Sequence, residues 1–279
     1  MDIARHRIDD EYMASHPHRV AMTREGLPQV LAVTRTRVES LGHLASSALS
    51  AAGVFDLVSP ASQDVADALL LAHQALNTLF ACAADPNTPT TVLLGRGGPA
   101  TYAGAPPAGA VHCGNWMNAF ALNLVFGDLD ALRQLCAFPT ARLRESPSLS
   151  AEHRYLFKDA LCAYVNRQPD LTDRIIETIK SANAEATDAD WKLRALAMGV
   201  PQAEILWHLS GRDAPKFNDA MRRAVEDHKR FWSRSEDAVR SPYGLLALEL
   251  TGLAAMAKDA GVACDVRSPY LPLSLVRDM

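Results

Sequence analysis

Cysteine, excess positive charge and catalytic signatures are what this chain has little of, and each shortage excludes something. Its five cysteines, Cys82, Cys113, Cys136, Cys162 and Cys264, are odd in number, far apart and without a Cys-x-x-Cys pair. Neither a disulfide framework nor a zinc site is therefore expected, and a reducing compartment, the cytoplasm, is. The 28 basic residues are outnumbered by 32 acidic ones, for a net charge of −4, so nucleic acid, which demands a clustered positive field, is not an expected partner. The first residues, with Asp2, Arg5, Arg7, Asp9, Asp10 and Glu11, hold no apolar run of the kind that opens a secretion signal. No Gly-x-Ser-x-Gly elbow, His-Glu-x-x-His pair or dinucleotide fingerprint occurs. The longest apolar run, Pro242 to Ala260, is interrupted by Glu249, Lys258 and Asp259, which favours a buried core helix over a membrane span. No cofactor and no membrane partner is expected.

What the chain does hold is helical periodicity over most of its length. Val30, Leu31, Val33, Val38, Leu41, Leu44, Ala45 and Ala48 recur at spacings of three and four, and Val65, Leu69, Leu70, Ala72, Leu76, Leu79 and Phe80 do the same between Ser62 and Asp85-Pro86. Phe217, Met221, Ala224, Val225, His228, Phe231 and Trp232 form the most regular amphipathic stripe, from Asp213 to Trp232. Ser241, Pro242 and Gly261 read as the cap, first turn and stop of one long apolar helix, expected to pack on that stripe and to be covered by Val266, Tyr270 and Leu271. Between Asp85 and Gly114 the pattern fails. There prolines and glycines crowd together, Thr90 to Leu94 and Ala100 to Tyr102 read as short strands, and Arg96-Gly97-Gly98-Pro99 reads as a turn. The expected fold class is all-α, an irregular multi-helix array with a small β-hairpin or loop insertion near residues 88–112. Residues 1–26 read as a loosely structured N-terminal arm and 27–279 as a single helical domain.

The residues that invite chemistry each have a structural reading that suffices. His112-Cys113 lacks the neighbouring ligands of a metal site and reads as a loop entering a helix. Gly95-Arg96-Gly97-Gly98 lacks the Lys-Ser or Lys-Thr of a phosphate loop. His228, on the apolar face of its helix, reads as a buried histidine bonded to a backbone carbonyl or a carboxylate. The pairs Asp128/Asp130 and Asp188/Asp190 stand where helices start, and there acidic residues complement the dipole.

Four stretches nevertheless carry a resemblance: Asn115-Trp116-Met117-Asn118-Ala119-Phe120 followed by Gly127-Asp128 and Leu132, Asp227-His228-Lys229-Arg230-Phe231-Trp232, the apolar helix ending in Asp259-Ala260-Gly261, and Ser268-Pro269-Tyr270-Leu271-Pro272. In their order and spacing they resemble the immunity protein 49 family, over roughly residues 110–275. The resemblance implies an all-α, cytoplasmic, non-enzymatic bacterial protein, encoded with a polymorphic toxin, that binds the cognate toxin domain and occludes its active site. The four stretches read as core, so none is carried over as a binding residue. The expected interface is the 85–112 loop with neighbouring helix faces, its anchors Arg96 and Tyr102. The alternatives are a helical adaptor or regulatory protein-binding module unconnected with toxins, and a helical hydrolase using His228 or His153.

Overall fold

A computed structural model describes residues 2–35, 37–95, 98–184 and 193–276. Among them the chain is all-α, with one two-stranded antiparallel hairpin. The first helix, α1 (Asp10–Thr34), is capped by Asp9, whose side chain accepts from the Tyr12 amide. It is followed by α2 (Leu41–Val58) and α3 (Gln63–Ala84), which pack along each other and supply much of the core. These two helices are long and apolar enough to cross a membrane by length and composition, and most of each is buried inside the fold. Strands β1 (Thr90–Leu93) and β2 (Pro99–Tyr102) pair Thr90 with Tyr102 and Leu93 with Pro99.

Then come α4 (Cys113–Phe126), α5 (Leu129–Ala137), α6 (Thr140–Arg144), α7 (Glu152–Val165) and α8 (Leu171–Ala184). Gly127 ends α4 in the left-handed conformation that lacks a Cβ penalty, and Asp128 caps α5 by accepting from the Ala131 amide. A π-helical turn, Ala195–Gly199, leads into α9 (Val200–Ser210). It is followed by α10 (Ala214–Trp232), α11 (Glu236–Arg240) and α12 (Leu248–Asp259).

Four expectations are corrected. The N-terminal arm is not loose. Residues 10–34 are helix, Ile3, Ile8 and Tyr12 are buried, and Ile3 donates to the Arg267 carbonyl. Sparse amphipathic patterning hid this helix, because it lies on the surface and buries only a few scattered positions. The helical run expected across Val30 to Ala48 belongs to two helices, α1 and α2, broken near Arg37. The single apolar helix from Ser241 is also broken. Pro242–Gly244 is a 3-10 turn, and α12 begins only at Leu248. Two tertiary contacts decide that break. A Cβ on Gly244 would lie 2.6 Å from the Trp232 ring, and the Ala247 amide donates 2.8 Å to the Tyr270 carbonyl instead of to its own helix. The chief partner of α12 is α4, reached through Gly252, whose missing Cβ would stand 2.8 Å from Ala121, and α10 packs mainly on α9.

The tail folds as its composition suggests. Val266, Tyr270 and Leu271 are buried, and the Tyr270 ring meets the His228 ring edge-on at 4.8 Å. The Tyr270 hydroxyl also lies 2.9 Å from the His6 amide, which donates to it, and 2.6 Å from His6 Nδ1. The two ends of the chain thus close on each other.

Candidate functional site

Two regions present themselves, the hairpin and a cavity. In the hairpin the strand alternation sorts side chains to two sides. Thr91, Leu93, Pro99 and Thr101 face outward, Leu93 being 61% exposed, and the Thr91 and Thr101 hydroxyls meet at 2.9 Å. Ala100 and Tyr102 face inward. Tyr102, expected as an exposed anchor, is 1% exposed and sits in the core cluster, its hydroxyl without a partner among the described residues. Its position in β2 settled this, since Tyr102 shares the inward side with Ala100. Arg96 lies outside the described residues, as do Asp188 and Asp190.

The cavity, about 460 Å³, was not read from the sequence. It opens where α4, the 148–150 connector, the start of α7, the π turn, α10 and the segment before α12 converge, and Leu149 and Tyr243 at its edge are 75% and 49% exposed. A π turn widens the helical backbone and recurs at functional sites, so its place in this wall is a local signal of irregular geometry. Across the wall, Arg154 of α7 and Glu249 of α12 form a two-pronged ion pair, with bonds of 3.0 and 2.7 Å, and Gln202 adds a hydrogen bond to the carboxylate. Burial works against the Glu249 charge, but Arg154 outweighs it and holds the carboxyl below its ordinary range. Two wall atoms, Gln202 Oε1 and Trp232 Nε1, are buried with no partner among the described residues.

Three histidines line the same cavity. His112 caps α4, its Nδ1 accepting from the Gly114 and Asn115 amides at 3.1 and 3.4 Å, which leaves the ring proton on Nε2. Burial lowers its proton affinity, and the nearby Arg154 charge adds to that. The adjacent Cys113 is a poor nucleophile, since burial pushes its thiol up to about 11. His228 Nε2 lies 3.1 Å from the Gly244 carbonyl, to which it donates, and burial drives its pKa down to about 4. His153 is buried with its ring against Gly199, where a Cβ would be 2.9 Å away. The wall therefore brings together both histidines of the hydrolase reading, and it keeps His228 neutral and weakly basic. Among the described residues no cluster of three or more His, Cys, Asp or Glu is placed to hold a metal.

The sequence profile of immunity protein 49 matches residues 59–275, and so spans the hairpin and every cavity-lining residue except Leu49 of α2. The chain belongs to the immunity protein 49 family. The match begins well before Asn115, the first residue of the stretches that carried the resemblance, and it leaves all of α1 and α2 outside. No curated protein and no solved structure matches the chain. Membership implies a protein partner, and the family's designation points to a toxin.

Proposed function

We propose that this protein is a cytoplasmic, non-enzymatic immunity protein that binds the catalytic domain of a cognate bacterial toxin and occludes its active site. The match to the immunity protein 49 family over residues 59–275 carries this reading. The chemistry of the cavity supports it, because His228 is a poor general base and Cys113 a poor nucleophile at neutral pH. The toxin-facing surface in this reading is the outer face of the hairpin, with Leu93 and Thr101 at its centre and Arg96 in the chain between the strands. An outward strand face with an exposed aliphatic side chain suits an interface, and arginine is a residue type that anchors one.

A pull-down of the product of the neighbouring gene with the purified full chain tests the reading. Capture at a one-to-one ratio, with the toxin's activity abolished in the complex, is the expected result. If the neighbouring product is not bound, or is bound and remains fully active, the reading fails.

A further inference from the structure

A protein that acts through its outer surface has no need of a cavity of about 460 Å³ in its interior, yet that volume lies within the roughly 300–1,000 Å³ range of small-molecule sites. The lining is mostly apolar, from Leu49, Met198, Trp232, Leu246 and Leu248, with a few polar groups among them. Several of those groups are donors, while Gln202 Oε1 and the Glu249 carboxylate accept. His112 carries its ring proton on Nε2, because its Nδ1 is committed to the α4 amides. Arg154 presents five N–H groups and commits two of them to Glu249. Asn118, one turn along α4 from Gly114, lines the cavity on the same helix face. Fixed donors beside a guanidinium select an anionic acceptor. Glu249, held ionised against Arg154, sets a limit, since with Arg194 the wall sets two guanidiniums against one carboxylate, which suits one negative charge on the guest rather than two.

We propose that the cavity binds a small amphipathic monocarboxylate, its head held by His112 Nε2–H and the Arg154 guanidinium and its apolar body lying against Met198, Trp232, Leu246 and Leu248. Such a guest stabilises the junction of α4, α7, α10 and α12 and is independent of the toxin-binding surface on the hairpin.

The test uses the full chain with sodium octanoate and phenylacetate as probes, against octan-1-ol and phenylacetamide, read by calorimetry and by thermal melting. The acids are expected to bind about tenfold or more tighter than their neutral counterparts, as one additional charge-assisted hydrogen bond implies, and to raise Tm. His112→Asn keeps a capping side chain but removes the Nε2 donor, so it lowers acid affinity roughly tenfold and leaves octan-1-ol binding unchanged. Ala197→Phe fills the cavity from the π turn and abolishes binding of both classes in a protein that retains its helical circular dichroism. The proposal is overturned if the acids do not bind, if they bind no better than the neutral probes, or if the folded Ala197→Phe protein binds them as the native chain does.

Discussion

The hairpin's outer face and the cavity wall are built on opposite plans. On the hairpin small and aliphatic side chains stand outward with their polar atoms satisfied locally, as in the Thr91 and Thr101 hydroxyl pair. Around the cavity the charged and aromatic groups turn inward, and an ion pair spans two helices that are far apart in sequence. The hairpin offers a surface that substitution alters without touching the core. In the cavity the same residues serve recognition and stability, so any change there is felt by the whole fold. Residue type alone is therefore a poor guide to a binding face. Tyrosine and arginine, the usual anchors, are here partly structural, as Tyr102 and Arg154 show.

The contrast is broken most directly at Glu249. Glu249→Leu leaves Arg154 uncompensated and is expected to lower unfolding stability by about 3–5 kcal/mol, with Arg154→Leu/Glu249→Leu recovering most of it. Urea denaturation of the two variants measures this, and a loss below about 1 kcal/mol would show that the cavity solvates the guanidinium as water does. Next in size is the pH dependence. His228 titrates near 6.5 when unfolded and near 4 when folded. Between those values the unfolded chain takes up a proton that the folded chain refuses. Its contribution is fully present above 6.5 and is lost as pH falls to 4, by about 3 kcal/mol in all. His6, also lowered by burial, acts in the same direction. Stability curves of the native protein and of His228→Gln should diverge across this window, and parallel curves would place the acid sensitivity elsewhere.

On the hairpin the expected order is reversed. Leu93→Asp changes stability by no more than about 0.5 kcal/mol, yet weakens toxin binding about tenfold, roughly 1.4 kcal/mol. Unchanged affinity would move the interface off the hairpin. The smallest effect belongs to its inner face, where Tyr102→Phe removes a buried hydroxyl with no partner among the described residues and is expected to leave stability unchanged or raise it by under about 1 kcal/mol. A clear loss would reveal a hydrogen bond made in solution.

Much of the fold was legible because its signals are local. The Ser62 start of α3, the Gly127 stop, the Asp128 cap and both strands lie where propensity and turn chemistry put them. The helix start after His112 and the burial of His228 follow from the same rules, while the structure chose the Gly244 carbonyl as the His228 partner and His112 as the cap. The candidate site was barely legible. His112, Arg154 and Glu249 come from three separate stretches, and nothing in their spacing marks them as neighbours. The inward turn of Tyr102 depends on register against Thr90, and a composition-based reading of an exposed loop overlooks it.

What the sequence determined by itself is the helical class, the hairpin and the family, since each rests on periodicity, turn residues or motif order along the chain. What only the tertiary structure decided is where α12 begins, what the N-terminal segment does and that a cavity exists. Gly244 yields to the Trp232 ring, the Ala247 amide turns to Tyr270, and residues 2–9 pack on the tail from the far end of the chain. These are contacts between segments distant in sequence. Their energies outweigh the modest local preference for continuing a helix, of tenths of a kcal/mol per residue up to about 1 kcal/mol.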